Sequence, residues 1–448
     1  MTRPVIRLGD LRNSFEGVIP SIIGTIDDDG MPNISYLSHV YYIDETHVAL
    51  SNQFFSKTAA NVRRLGVATV MVVDALSGAQ HLLDLQFEQS CDSGEVFERI
   101  STHLDVMSHL RGHEGLMKLK SADIYRVTQI REVLAAAPLA PPPEPRPHRD
   151  RISHAARIIS AIGAEADSDT ILDAALDGLR DEMAFRNLMV LLPNEDETVL
   201  TMVASRGYDR YGTGAEVPVG TGVIGMTAAS KRPVLIADLT RARRYARAIT
   251  GDTAQIPLPG LEAPQCQMAV PMMAKGRLRG VIFAESELSF AFTHEDEAAL
   301  GLIANQLASC LLLADLQAQA VQPSIALPPA PDTDSRRFRF RYFLHDDSVF
   351  IDNEYLIRGV PGRLLYYFVR KFTESGQRDF SNREIRRDSS LRLPDFKDNL
   401  ETRLILLRRR LDEKAGPLRL SRPERGQVRL EFDGLPDIEV VGAAPALP

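Results

Sequence analysis

The sequence predicts a multidomain protein of mixed α/β and α+β class, built from three folded modules. Its 448 residues are too many for one ordinary hydrophobic core. Two proline-rich segments, residues 134–150 and 319–334, divide the chain into blocks at 1–133, 151–318 and 335–448. Such segments form neither helix interiors nor central strands, so we expect them to act as stiff spacers between the modules.

Composition indicates a globular protein without a membrane segment. The hydrophobic share of 44% and the charged share of 25% are typical of soluble domains. No run of eighteen apolar residues and no signal peptide is visible, so a cytoplasmic location is expected. Cys91, Cys266 and Cys310 lack metal-ligand spacing, which predicts no metal site, no disulfide framework, and cysteines that are reduced and mostly buried.

The first block alternates apolar strand patterns with turn residues. IPSIIGTIDDDGMPNISYLS predicts a hairpin across DDDG, and VATVMVVD and SADIYRVTQIREV predict further strands. QFFSKTAANVRRL predicts a helix with Ser56 as N-cap, and Glu95 to Lys118 predicts a longer polar helix.

The stretches GTIDDDGMPNISYLS, ALSNQFFSKTAANV and ADIYRVTQI resemble the FMN-binding split β-barrel of the pyridoxamine phosphate oxidase family. The resemblance implies FMN as cofactor, with its phosphate at a helix N-terminus beside a lysine, which is a favourable place for a dianion. The residues that it implies are Ser56 and Lys57 at the phosphate, Ser51 and Asn52 nearby, and Tyr36 and Ser38 beside the isoalloxazine.

One departure leaves the cofactor open. The oxidases carry an Arg-Lys pair where this chain has Ser56-Lys57, so FMN is bound more weakly, is replaced by another cofactor, or is absent. His39, His47 and His81 are isolated along the sequence, and no acid/base pair is visible. No catalytic residue is therefore predicted.

The second block predicts helices around paired strands. Residues 151–183 carry one long amphipathic helical pattern, with a new turn at Asp169-Thr170, and HEDEAALGLIANQLASCLLLADL predicts the last helix. PVGTGVIGMTAASKRPVLIADL and MAVPMMAKGRLRGVIFAE resemble a GAF domain, an α/β sandwich. That family commonly dimerises through its first and last helices, which implies a homodimer.

The resemblance also implies a pocket for a small-molecule effector, whose identity the sequence leaves unknown. No histidine lies between His154 and His294, so a haem has no GAF ligand. The candidate pocket residues are Met202, Ala204, Met226, Cys266 and Met268, an apolar set that core packing explains equally well.

The third block contains a helical pattern with two unlike faces, Asp395 to Lys414. Its apolar face, predicted to be buried, consists of Phe396, Leu400, Leu404, Leu407 and Leu411. Its polar face, predicted to be free for DNA, consists of Asn399, Thr402, Arg403, Arg409 and Arg410.

The flanking patterns complete a winged helix-turn-helix. Pro361 to Gly376 predicts one helix, and Ser381 to Arg387 predicts a second with Ser381 and Glu384 as a capping box. LRLSRPERGQVRLEF predicts a hairpin with Arg422 and Arg425 at its tip.

Together with the strand pattern from FRFRYFL, these elements resemble the output domain of bacterial response regulators, with LLRRRL ending the recognition helix. Leu406 stands where that family often has an arginine. Phosphate contacts are then expected from Arg403, Arg409, Arg422 and Arg425, and base contacts from Asn399 and Thr402.

Charge is divided unevenly along the chain. Residues 335–430 hold 23 Lys and Arg against 14 Asp and Glu, a net +9, which leaves −17 for the remainder of a chain of total charge −8. A local positive excess is what phosphate contacts require.

We therefore interpret the chain as a cytoplasmic ligand- or redox-responsive transcriptional regulator that binds double-stranded DNA. One alternative is an FMN-dependent oxidoreductase with a regulatory GAF domain and a protein-interaction C-terminal domain. In another, the barrel is a scaffold without cofactor.

Overall fold

The computed structural model describes residues 6–53, 56–110, 118–133, 150–194, 196–209, 212–239, 256–320, 337–391, 393, 400–423 and 426–442. They form three modules, which we call the first (6–133), second (150–320) and third (337–442). Nearly all of both predicted proline-rich spacers lies outside the described residues. Asp150 belongs instead to the first helix of the second module as its N-cap.

The first module is a seven-stranded antiparallel sheet with two helices. Its elements are a 3-10 helix (Leu8–Phe15), β1 (Ser21–Ile26), β2 (Pro32–Leu37), β3 (Val40–Tyr42), β4 (His47–Asn52), α1 (Ser56–Leu65), β5 (Val67–Val73), β6 (Gln80–Cys91), α2 (Glu95–Leu110) and β7 (Ser121–Val133). The strand order is β2-β1-β5-β6-β7-β4-β3. The predicted DDDG hairpin is confirmed as β1–β2.

Two details of this module differ from the prediction. β6 is absent from the sequence-based prediction, although its alternation places His81, Leu83 and Leu85 inside, as a strand period requires. α1 begins at Ser56, where an N-cap was expected. The described part of α2 ends at Leu110, and residues 111–117 of the predicted helix lie outside the described residues.

The second module is a six-stranded antiparallel sheet between helices, in the order β10-β9-β8-β13-β12-β11. Its elements are α3 (Arg151–Ala164), α4 (Ser168–Met183), β8 (Asn187–Pro193), β9 (Val199–Arg206), β10 (Glu216–Pro218), α5 (Gly222–Ser230), β11 (Val234–Ile236), β12 (Cys266–Ala274), β13 (Arg277–Ser286) and α6 (His294–Ala320). Helices α3, α4 and α6 cover one face, and α5 covers the other.

The single helix predicted over 151–183 is wrong. The chain breaks between α3 and α4, and Asp167 caps α4 by accepting a hydrogen bond from the Asp169 backbone N–H at 2.9 Å. A short aspartate side chain at this position competes with helical hydrogen bonding and starts a new helix instead.

Helix α6 is both long and apolar. Within the described residues it is the one helix long and apolar enough to cross a membrane, and half of its most apolar window is buried. Its packing against α3, α4 and β12 explains that apolarity as part of the core of the second module.

The third module combines two small sheets with three helices. Its elements are β14 (Arg337–Phe343), β15 (Ser348–Ile351), β16 (Glu354–Ile357), α7 (Val360–Ser375), β17 (Asp379–Ser381), α8 (Asn382–Arg387), a 3-10 turn (Ser389–Leu391), α9 (Leu400–Lys414), β18 (Leu418–Ser421), β19 (Gln427–Phe432) and β20 (Leu435–Val441). The sheets have the orders β16-β15-β14-β20 and β17-β19-β18.

Most predicted elements of this module are present. α7, α8 and the β18–β19 hairpin lie where the sequence placed them, and the Ser381 hydroxyl accepts from the Glu384 N–H at 3.2 Å. The return half of the predicted capping box is replaced, because the Glu384 carboxylate accepts from Gln377 at 2.9 Å. β20, which pairs in parallel with β14, was not predicted.

Candidate nucleic-acid interface and predicted ligand sites

The apolar face of α9 is buried as predicted. Leu400, Leu404, Leu407 and Leu411 all lie in the core that α9 shares with α7 and β18. Phe396 lies outside the described residues.

The prediction that the opposite face of α9 is free is wrong for the arrangement in this structure. Thr402, Arg403 and Arg410 are buried, and the Arg409 side chain is only 14% exposed. Asn399 and Arg425 lie outside the described residues. The cause is contact with the second module, since α9 packs against α4 and β9.

Arginines at the end of α9 bind carboxylates at the start of α4. Arg409 places Nε 3.0 Å from Asp169 Oδ1 and Nη2 3.1 Å from Asp173 Oδ1. Arg408 Nη2 lies 2.8 Å from the same Asp169 oxygen. The Asp169 side chain is 3% exposed, so this part of the contact is sheltered from water. Removing one partner of such a sheltered ion pair is costly, because the other charge is then left buried without compensation.

A third arginine follows strand β18. Arg422, which follows β18, places Nη1 2.8 Å from Asp167 Oδ2 and 2.5 Å from Glu401 Oε2. Burial alone would lower the pKa of Arg422, but Glu401, Asp167 and Asp169 raise it above its ordinary value. Its charge is therefore fixed, and it joins the β18–β19 hairpin to both α9 and α4.

Helix α4 is a favourable place for these carboxylates. Asp167 is its N-cap and Asp169 lies in its first turn, where the helix dipole stabilises negative charge. Asp173 lies further along the helix and also binds Arg206 at 2.7 Å within its own module. This set of carboxylates was not predicted from the sequence. The available signal was the acidic run Asp167, Asp169 and Asp173, set against the positive excess of the third block.

Two other predicted DNA contacts have roles inside the protein. Arg410 donates from Nε to the Leu356 carbonyl at 2.9 Å and from Nη1 to Glu413 at 2.6 Å, so it holds α9 to β16. This placement contradicts the prediction that Arg410 lies on a face that is free for DNA. Arg403 and Leu406 line a cavity of about 420 Å³ between the second and third modules.

The residues predicted for FMN do not form one phosphate site in the described chain. Lys57 is exposed and its ammonium lies 3.2 Å from Asp27 Oδ2. Ser51 accepts from the His39 N–H at 3.1 Å, and Asn52 donates to Asp123 at 3.3 Å. The space that they line measures about 10 Å³, enough for a single water at most.

The other residues predicted to contact FMN also differ from that prediction in their surroundings. Ser38 donates to Gln53 Oε1 at 2.5 Å, whereas Tyr36 on β2 is 72% exposed. Nothing is described of the Ser56 side chain. These residues therefore do not fit an FMN phosphate within one chain, and FMN stays a prediction that the absorption spectrum of purified protein would test.

The five apolar residues predicted to line one pocket of the second module lie on two faces of its sheet. Met202 and Met226 belong to the cluster under α5, whereas Ala204, Cys266 and Met268 belong to the cluster under α3, α4 and α6. The sheet lies between the two clusters, so these side chains cannot share one pocket. The prediction is wrong on this point, and Cys266 and Met268 are core residues. Cys91, Cys266 and Cys310 are free thiols, but only Cys266 is fully buried.

Comparison with known proteins places a GAF domain at residues 165–311, where the GAF family model matches. The GAF domain of an Acinetobacter phosphoenolpyruvate-protein phosphotransferase is 19% identical, with coverage of 38% of this chain and 97% of that chain and a TM-score of 0.33. Free methionine-R-sulfoxide reductase from Neisseria meningitidis is 21% identical, with coverage of 38% and 91% and a TM-score of 0.31.

An FMN-binding protein from Syntrophomonas wolfei is 20% identical, with coverage of 28% of this chain and 85% of that chain and a TM-score of 0.24. These structural similarities are too low to transfer an activity. The comparison with curated proteins finds no match. The predicted GAF domain is thus confirmed, and it supports a sensory or regulatory role.

Proposed function

We propose that this chain is a cytoplasmic transcriptional regulator whose third module binds double-stranded DNA and whose first two modules control that binding. The GAF domain supplies a sensory element. The observation that carries the proposal is the contact in which Arg408, Arg409 and Arg422 bind carboxylates of α4.

Carboxylate and phosphate compete for the same arginine groups. Both are anions that accept charge-assisted hydrogen bonds from a guanidinium. While α4 occupies the three arginines, they cannot also contact a DNA backbone, so the described arrangement is a closed state. An effector opens the protein only if it binds the open state more tightly than the closed state.

The shape of the third module supports DNA as the partner. Helices α7, α8 and α9, followed by the β18–β19 hairpin, are the elements expected of a winged helix-turn-helix. Leu406 also fits a closed state, because a leucine suits a site at the boundary with the GAF domain better than a solvated arginine does.

The proposal is tested by equilibrium binding of the full chain to a random-sequence DNA duplex of about three helical turns. Fluorescence anisotropy across a series of salt concentrations is expected to give a logarithm of affinity that falls linearly with the logarithm of salt. Fragments of the host genome then serve to select the specific site. Absence of DNA binding by both the native chain and a variant shown to be open would refute the proposal.

A homodimer is proposed from the exposed apolar side of α6. Leu302 and Leu313 lie about three helical turns apart, Leu316 follows one turn later, and all three are exposed. Ile152 on the neighbouring α3 is exposed as well. We propose that a second copy of the same helix covers this apolar stripe and shields it from water.

We expect the double substitution Leu302→Glu and Leu313→Glu to convert a dimer to a monomer, because charges would be buried at the helix contact. Light scattering coupled to size-exclusion chromatography measures the mass. Leu288→Glu is the control, since Leu288 is even more exposed than Leu302 and Leu313 but lies in the turn after β13. A native chain that is monomeric, or a double variant that stays dimeric, would contradict this interface.

A further inference from the structure

A cavity of about 240 Å³ lies between the first module and the GAF domain. The first module contributes the 3-10 helix, β3 and α2, and the GAF domain contributes β11 and the start of α6. The side chains that decide its chemistry are Arg12, Phe15, His39, Tyr41, Tyr42 and His294. With a water's share of liquid volume of about 30 Å³, the cavity has room for roughly eight waters.

The wall of the cavity contains two ion pairs, and within each pair the opposite charges cancel. His294 Nε2 lies 2.5 Å from Glu16, and Arg99 is paired with Glu297. Burial alone would lower the pKa of His294, but Glu16 and Glu297 raise it to about 10. His294 is therefore a cation at neutral pH, and these four side chains together carry no net charge.

Arg12 is the cation left over. Its guanidinium carbon lies 4.1 Å from the centre of the Tyr42 ring, and no carboxylate pairs with it among the residues that the structure describes. Glu95 acts electrostatically on Tyr41 but does not line the cavity. Apart from His103, which stacks on His39, the lining thus carries one net positive charge next to aromatic rings.

His39 supplies an unused hydrogen-bonding atom. Its ring is buried and stacks on His103 with 4.4 Å between the ring centres, and its Nδ1 has no partner. Burial, followed by the charges of His103 and His294, holds the pKa of His39 well below its usual value, so the ring is neutral. A buried nitrogen without a partner is costly, which favours a ligand that reaches it.

We infer that this cavity binds a small aromatic carboxylic acid, with its carboxylate on Arg12 and its ring against Phe15, Tyr41 and Tyr42. A single negative charge matches the one unpaired cation. The volume suits one or two rings. It excludes a flavin nucleotide, because such a molecule has several times more heavy atoms than the roughly eight waters for which the cavity has room.

The walls come from two modules, so an occupant holds them in one relative position. The α2 face of the first module also packs on α5, and Glu98 on α2 accepts from Arg232 of the GAF domain at 2.8 Å. A ligand here would therefore favour one arrangement of the two modules. Its part as the effector of the regulator rests on the function proposed above, whereas its binding does not.

The test is isothermal titration calorimetry of the full chain with benzoate and 1-naphthoate, with benzyl alcohol as the uncharged comparison. We expect saturable binding of at least one acid and weaker binding of the alcohol. Arg12→Met should weaken acid binding about tenfold or more, since it removes a charged hydrogen-bond donor. Arg12→Lys, which keeps the charge, should retain most of the affinity.

Arg63→Met is the matched control, because Arg63 is an exposed arginine of the same module outside the cavity. It should bind the acids like the native chain. No saturable binding of either acid, or equal binding by Arg12→Met, would overturn the site. No DNA is present in this titration, so failure of DNA binding leaves it unaffected. An acid that binds as expected but leaves the DNA affinity of the chain unchanged would overturn only its role as effector.

Discussion

The Asp169→Asn chain is expected to bind DNA between about tenfold and a hundredfold more tightly than the native chain. The substitution keeps the size of the side chain but removes the charge that holds Arg408 and Arg409. Breaking a sheltered ion pair costs about 3–5 kcal/mol. When the third module separates from the GAF domain, both arginines reach water or phosphate. The substitution therefore raises the free energy of the closed state and not that of the open state.

Two effects limit the increase in DNA affinity. Apolar contacts between α9 and the GAF domain remain, because one continuous hydrophobic cluster includes residues of both. Once the chain is fully open, further weakening of the contact adds nothing to the affinity. Anisotropy with a labelled duplex measures the affinity, and hydrogen exchange of the α9 backbone amides measures opening independently.

Asp181→Asn is the matched control for this experiment. Asp181 lies on the same helix, loses the same charge and is 62% exposed, and among the described residues its ion pair is with the neighbouring Arg180. Its affinity should equal that of the native chain. Faster exchange in α9 without tighter DNA binding in Asp169→Asn would refute DNA as the partner, and unchanged exchange would show that the ion pairs do not hold the modules together.

Local patterns in the sequence were sufficient to predict most elements of the third module. The spacing of Leu400, Leu404, Leu407 and Leu411 gave the buried face of α9, because helix periodicity is a local property. The burial of the opposite face depends on a helix more than two hundred residues away. No periodicity carries that information, and an arginine that binds DNA looks the same in sequence as one that binds an aspartate.

The ligand sites were harder to predict for a related reason. Side chains such as Met202 and Cys266 are both apolar and both on strands, but strand register decides which face each occupies. The cavity beside Arg12 is built by residues from two modules, so its charge balance appears only in the folded chain. The GAF domain itself was predictable, since its motifs are contiguous.

The interfaces of the GAF domain suggest how a signal could travel. Its α5 packs on the first module, and its α4 holds α9 of the third. These helices cover opposite faces of one sheet, so the GAF domain is the physical connection between the first and third modules, and we expect the signal to pass through it. Deletion of either contact should therefore uncouple ligand binding from DNA binding without unfolding the GAF domain.

The role of the arginines themselves is best measured in the opened chain. Adding Arg408→Gln and Arg409→Gln to Asp169→Asn should lower DNA affinity on the order of fiftyfold at ~0.1 M salt, because each lost phosphate contact removes about 0.9 from the logarithmic salt slope. The magnitude of the salt slope should therefore fall by about 1.8, which corresponds to two phosphate contacts. Arg422 is kept, since it also neutralises Glu401 inside its own module.

The control adds Arg63→Gln and Arg277→Gln to the same Asp169→Asn chain, because both arginines are exposed on the first and second modules and lack ion pairs among the described residues. The net charge then falls by the same amount, but α9 keeps its arginines. If the protein binds DNA through α9, only the α9 variant loses affinity and slope. If both variants lose them equally, the duplex responds to the total charge of the chain, and α9 is not the surface that meets it.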